Sequence, residues 1–312
     1  MKKLLLSAFG AVFSMFLFAQ QDPQFSQNMH NRLFPNPGVA GSNNAICATI
    51  LGRQQWTGFT GQPNTYLLSV HGPVRLLHGG VGLNVYQDEL GQEKTFGLKA
   101  AYAYRMTIGI GELGFGAAAG MVNKSIGSAW VFNDPNDTKI PTNGAGDTGF
   151  DLDFGLYYKT PALFLGLSTT HITQSQLEEV SPPLQDFGYK VARHYYIMAG
   201  YNHNFKSFPL ALQPMVYVKS DAASTQVDLN LVAVYNNLVW AGVSYRFQDA
   251  VVPMIGVQKD IGPGTLKFGY SYDVTTSLLK SYAKMTHEIM LGYCFNIPEN
   301  NPSGKHKTVR FL

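Results

Sequence analysis

The stretch Phe150-Asp151-Leu152-Asp153-Phe154-Gly155-Leu156-Tyr157-Tyr158-Lys159 alternates without a break. Phe150, Leu152, Phe154, Leu156 and Tyr158 make one set. Asp151, Asp153, Gly155, Tyr157 and Lys159 make the other. Successive side chains on a strand point to opposite faces, so this pattern dictates a strand with an apolar medium on one side and a polar one on the other. Leu266 to Asp273 repeats the arrangement, with Leu266, Phe268, Tyr270 and Tyr272 against Lys267, Gly269, Ser271 and Asp273. Gln226 to Tyr235 does so again, with Val227, Leu229, Leu231, Ala233 and Tyr235 against Gln226, Asp228, Asn230 and Val232. Aliphatic and aromatic residues facing lipid and small or charged residues facing a lumen are the signature of a transmembrane β-barrel.

Reading outward from these segments predicts strands near 44–57, 62–72, 79–88, 92–106, 110–122, 148–159, 162–171, 189–205, 210–220, 225–235, 238–248, 251–260, 264–273 and 285–296. The fold class is therefore all-β: an antiparallel transmembrane barrel of about fourteen strands, an even number as in bacterial single-chain barrels. Tight turns at Thr160-Pro161, Asn236-Asn237 and Gly262-Pro263 follow even-numbered strands, and the two longest connections, Asn123–Asp147 and Ile172–Gly188, follow odd ones. Short periplasmic turns and long outer loops produce this sorting; a soluble sandwich has no reason for it.

Composition agrees. Charged residues are 14%, against roughly 25% in soluble domains, while aromatics are 13% and glycines number 32. A net charge of +3 gives no basic field for nucleic acid. Lys2, Lys3 and the apolar run Leu4–Phe18 read as a secretory signal ending at Ala19, too short for a spanning helix. No Cys follows it to carry a lipoprotein anchor. The expected organisation is a signal peptide at 1–19, an Asn-, Gln- and Pro-rich segment at 20–43 lying in the periplasm or plugging the lumen, a barrel at 44–297, and a basic periplasmic tail at 298–312. Outer-membrane placement with periplasmic termini follows.

Several stretches carry a resemblance: Asp22-Pro23-Gln24-Phe25-Ser26-Gln27; Asn36-Pro37-Gly38-Val39-Ala40-Gly41; Arg53-Gln54-Gln55-Trp56-Thr57-Gly58; Gly61-Gln62-Pro63-Asn64-Thr65; and Arg193-His194-Tyr195-Tyr196. In order and spacing the chain resembles the PorP/SprF family of the Bacteroidota type IX secretion system, with Gly38 standing where Ala is expected. The resemblance implies an outer-membrane component of a secretion and gliding-motility machine. Its partners would be periplasmic ring proteins and cargo with C-terminal targeting domains, in some members one large surface adhesin.

The residues themselves point to no bond chemistry. Arg53 faces inward on the first strand, where Asp88, Asp151 and Asp153 are candidate partners, and Trp56 falls at the membrane interface. Both equally order the first hairpin. His171 and His194 flank the long loop after strand seven, but no third ligand has metal-site spacing. Asn133–Thr138 is Asp/Asn-rich yet lacks the Gly and Glu of a calcium loop. His171 and Ser168 lie three apart and should face opposite sides, which leaves no nucleophile with its base. No catalytic residue, cofactor or metal is expected. Cys47 and Cys294 both point inward at the periplasmic ends of the first and last strands, which are neighbours if the barrel closes. A disulfide is allowed there, as are two buried thiols. The alternative function is a passive or ligand-specific pore, since Asp151, Asp153, Lys159, Lys219, Asp228 and Lys267 make the inner face polar enough for water.

Overall fold

A computed structural model describes residues 22–58, 60–129, 144–178, 188–277 and 285–297. The signal segment at 1–19, the Asn133–Thr138 stretch and the basic tail at 298–312 lie outside the described residues. The strands are β1 (Ala45–Thr57), β2 (Asn64–Val74), β3 (Gly79–Leu90), β4 (Glu93–Ile108), β5 (Gly111–Ile126), β6 (Ala145–Lys159), β7 (Leu163–Thr170), β8 (Gln176–Glu178), β9 (Gly188–Lys190), β10 (His194–Tyr201), β11 (His203–Asn204), β12 (Leu210–Ser220), β13 (Thr225–Tyr235), β14 (Val239–Arg246), β15 (Ala250–Ile261), β16 (Gly264–Thr275) and β17 (Met285–Asn296).

Each wall strand pairs antiparallel with its neighbour, and β1 pairs with β17 from Ala45↔Asn296 to Gln54↔His287. With β10 pairing both β7 and β12, the ring has no free edge. Since β11 merely continues β10 beyond Asn202, the wall has fourteen strands. A closed ring is what allows strands to satisfy their backbone groups in lipid. Alternation sets the two faces as expected. Phe150, Leu152 and Phe154 are exposed to the outside, while Asp151, Asp153 and Tyr157 are buried within.

The segment expected as one strand at 189–205 is divided. Its first residues, Gly188–Lys190, pair with Gln176–Glu178 in a separate two-stranded ribbon above the wall, and the wall strand begins only at His194. Loop sorting holds for the two longest connections, which leave the same rim. However, Gly91-Gln92, Asp221–Ser224 and Phe247–Asp249 are short turns on that rim too. We take the long-loop rim as outer; the ends of the wall, Ala45 and Asn296, then lie at the periplasmic rim.

Three periplasmic hairpins share one device. The outward Tyr102, Tyr158 and Tyr293 donate their hydroxyls to the carbonyls of Leu77 (2.7 Å), Ile108 (3.2 Å) and Ile261 (3.2 Å). Each ring lies over a glycine that opens the adjacent strand, Gly79, Gly111 or Gly264, where a Cβ would collide with it. Aromatic cover of a strand glycine shields exposed backbone and pins the hairpin register.

Candidate functional site

The lumen is occupied by residues 22–44. The segment enters at the outer mouth and descends to the periplasmic rim, where β1 begins. Asp22 lies level with the outer ends of β7, β10 and β12, in contact with Thr170, His194 and Lys219.

At the top, Asp22 is gripped from several strands. Its carboxylate meets His171 Nε2 at 2.6 Å and accepts from Tyr196 Oη at 2.5 Å and Thr170 Oγ1 at 3.1 Å. Its backbone N–H donates to His194 Nε2 at 3.2 Å, and its carbonyl accepts from Lys219 Nζ at 3.1 Å. His171 Nδ1 meets Asp151 at 2.6 Å, and Lys99 bridges Asp151 (2.7 Å) and Asp153 (2.9 Å). Burial alone would raise the Asp22 carboxyl, but the charge of His171 and its hydrogen bond outweigh it and hold the group well below the usual carboxylate range. Burial works against charge on His171 as well; the Asp22 carboxylate overcomes it and moves the imidazole up to about 9. His171 is therefore an imidazolium between two carboxylates at neutral pH.

One turn further in, Glu288 accepts the backbone N–H groups of Ser26 and Gln27, both at 2.7 Å. Arg53 pairs with Asp273 at 2.8 Å and Glu288 at 3.3 Å, and donates to Ser26 Oγ at 2.8 Å. Arg246 joins from β14, 3.0 Å from Asp273 and 3.5 Å from Asp228. Arg53, Arg246, Asp228, Asp273 and Glu288 are all essentially closed to solvent. This corrects the partner expected for Arg53: Asp88, Asp151 and Asp153 lie round the wall from it, with Asp88 taken by Thr65 at 2.5 Å and the other two by Lys99. Register explains the choice. Cys47 opposes Cys294, so six residues along each strand Arg53 opposes Glu288.

Below this network the plug is held by apolar packing and by backbone contact. Phe25 stacks edge-on against Phe34 (5.5 Å) and Phe34 against Tyr86 (5.3 Å), while Met29, Leu33 and Val39 join a core with Leu51, Trp240 and Met290. Asn36 Oδ1 accepts the Gly38 N–H at 2.9 Å, closing an Asx turn over Pro37, and its Nδ2 donates to the Leu156 carbonyl at 2.9 Å. The wall is cut away here. A Cβ on Gly116 would strike Pro37 and Gly38, and one on Gly155 would strike the Asn36 amide. Gly41, at φ 74°, packs on Gly80. A Cβ on Gly38 would press on the carbonyls of Gly114 and Gly155 at 3.0 Å, which gives a reason for glycine there.

The remaining predicted positions order the outer hairpins. Gln55 N–H donates to Pro63 O (2.9 Å), Gly91 N–H to Gly61 O (2.9 Å) and Gly58 N–H to Gln62 Oε1 (3.1 Å). Trp56, at φ 55°, marks a bulge where β1 slips against β17, and its N–H donates to Thr286 Oγ1 at 3.1 Å. Pro23 follows Asp22 against the Phe34 and Tyr217 side of the lumen. Arg193 donates to the Ile172 carbonyl at 2.7 Å; Tyr195 faces outward and Tyr196 inward. Cys47 and Cys294 form a disulfide across the β1–β17 seam.

His171 departs from strict alternation. A φ of 56° just past β7 turns it into the lumen, so it shares a side with Ser168 rather than opposing it. No nucleophile results: Ser168 Oγ donates to Pro35 O at 2.6 Å, and both His171 nitrogens face carboxylates. Sequence spacing offered the two histidines no third ligand; folding supplies Asp22. The ring nitrogens of His194 are nonetheless committed, Nδ1 to Ala192 O at 3.0 Å and Nε2 to the Asp22 N–H, so the cluster is built as a hydrogen-bonded clamp.

Residues 17–293 match the family described as "Type IX secretion system membrane protein PorP/SprF". No curated protein matches the chain. Among solved structures it is similar to the Ralstonia pickettii toluene transporter TbuX (14% identity, 85% of this chain and 93% of that one, TM-score 0.49). It is also similar to the CymD monoaromatic hydrocarbon channel (13% identity, 86% and 92%, TM-score 0.48) and to the Acinetobacter baumannii outer membrane protein Omp33 (12% identity, 81% and 99%, TM-score 0.43).

Proposed function

The chain belongs to the PorP/SprF family of type IX secretion system membrane proteins, and on that premise we propose that it acts as a sealed outer-membrane anchor for export or surface display of cargo with C-terminal targeting domains. Its periplasmic turns bind ring components of the machine, and its outer loops recognise cargo, one large adhesin or many proteins. It is not an enzyme and makes or breaks no bond. The observation that supports this reading is the lumen itself: a segment fixed by buried ion pairs at the top and by backbone contact below takes up space that a channel would need. A permanent plug suits a scaffold better than a pore.

Deleting the gene and comparing medium, cell surface and periplasm by quantitative proteomics tests it. Loss of many tagged cargo proteins from outside, with accumulation inside, marks a general component; loss of a single adhesin marks a dedicated partner. Unchanged export overturns the proposal. Purified protein in planar bilayers should show no steady conductance, and an open channel of constant size would revive the pore.

A further inference from the structure

The periplasmic half of the lumen holds positive charges that no carboxylate among the described residues neutralises. Between the plug and the wall lies a cavity of about 230 Å³, lined by His30 and Arg32 of the plug and by His71, Lys267 and the Cys47–Cys294 bridge of the wall. A second cavity of about 170 Å³ shares Arg32 with it and adds Lys159. Among the described residues no Asp or Glu lines either cavity. The nearby carboxylates at this end are engaged elsewhere: Glu112 by Arg105 at 2.8 Å, and Asp260 by the Thr265 hydroxyl at 2.6 Å.

Arg32 is positioned but not neutralised. Its guanidinium lies 3.8 Å over the Phe164 ring and donates one N–H to Tyr157 Oη at 3.2 Å, while its Nε is buried without a partner. Stacking on an aromatic face fixes the plane of the fork and leaves its other N–H groups directed elsewhere. Lys267 makes no hydrogen bond or ion pair among the described residues. Lys159 donates only to neutral oxygens, Ser42 O and Asn43 Oδ1, both at 3.2 Å. Burial, with Lys267 and Arg32 adding to it, pushes His30 down to about 3, so that ring stays neutral. His71 accepts the Gly41 N–H at Nδ1 (3.2 Å), which leaves the ring proton on Nε2 as a further donor at the cavity wall. Like charges in a partly enclosed space repel one another and concentrate counter-ions.

We propose that this vestibule is an oxyanion-binding site, in which Arg32 and Lys267 hold a carboxylate or phosphate group entering from the periplasmic mouth. The planar fork of Arg32 suits two oxygens at once, and Lys267 supplies the second charge. The site does not depend on the secretion role.

Calorimetric titration of the full-length barrel in detergent, at neutral pH and low chloride, with inorganic phosphate tests this. Parallel titrations use a short peptide with a free C-terminal carboxylate and the same peptide amidated. Saturable binding of phosphate, or of the acid peptide but not its amide, is expected, and the arm that binds names the source of the anion. Arg32→Gln and Lys267→Gln should each weaken binding roughly tenfold. Lys267→Arg should retain it, and Lys206→Gln, on the exposed periplasmic connection, should leave it unchanged. Heat-modifiable gel migration shows that each variant is a closed barrel. No binding to the wild type, or equal binding by Arg32→Gln and Lys206→Gln, overturns the site.

Discussion

The two halves of one lumen treat charge in opposite ways. In the outer half Asp22, Asp151, Asp153, Asp228, Asp273 and Glu288 lie against Lys99, His171, Arg53 and Arg246 in networks almost closed to water. In the periplasmic half Arg32 and Lys267 face cavities that no carboxylate among the described residues lines. The contrast separates two uses of ionisable groups. Buried pairs add little net stability over apolar packing, but they punish any other arrangement, and so they set where the plug lies. The cations below meet no carboxylate among the described residues, and their charge remains free for something else.

Removing one member of each set should therefore give very different results. Arg53→Met leaves Asp273 and Glu288 buried with one cation fewer, a loss of about 3–5 kcal/mol. Thermal unfolding followed by gel migration should show it, whereas Lys267→Gln should not lower the transition. Equal shifts for the two would erase the distinction between halves. The seam offers the next largest effect. Cys47→Ser should cost about 2–4 kcal/mol, the usual range for a lost disulfide. Denatured, unreduced wild-type protein should label no thiol, and two labelled thiols would show that the bridge is absent.

Gly155→Val sharpens the comparison at the boundary between halves, where the wall has been thinned for Asn36. Overpacking should cost about 1–3 kcal/mol, and it should loosen the plug enough to bring flickering conductance to a silent barrel. The Asp22 clamp gives the pH dependence. His171 is raised in the folded state, so its contribution is complete below its ordinary value near 6.5 and is lost as pH climbs through about 9. Asp22 is lowered, so its contribution is present above the ordinary carboxylate value and is lost in acid. The melting difference between wild type and His171→Gln should shrink between pH 7 and 10; a constant difference would mean that His171 carries no charge. Smallest of all, Tyr102→Phe removes one hydroxyl bond at a periplasmic turn and should cost about 0.5–1.5 kcal/mol.

Much of the wall was legible because alternation is a local signal. Leu210–Ser220, Thr225–Tyr235 and Met285–Asn296 end where turn residues and pattern place them. The division of 189–205 was not, since β-rich sequence reads alike whether it pairs in the wall or in a ribbon above it. The plug was less legible still. Its Asn-, Gln- and Pro-rich composition has no period, and partners such as Leu156 and Glu288 lie 120 and 262 residues away in sequence. One part could have been found. The alignment that brought Cys47 to Cys294 carries Arg53 to Glu288 as well, and extending it would have replaced Asp88, Asp151 and Asp153 as candidates. The turn of His171 into the lumen had no such signal, because a single left-handed residue leaves no trace in a pattern of two.

The plug also ties the two ends of the chain's wall together. The oxygens that receive Ser26 and Gln27 belong to Glu288 on β17, the last strand to be synthesised, and the guanidinium beside them belongs to Arg53 on β1, the first. Until those two strands meet, the segment synthesised ahead of the whole wall has no finished seat. The join that completes the ring is thus also the join that completes the seat of the plug, like the last stave that tightens a cask around its bung.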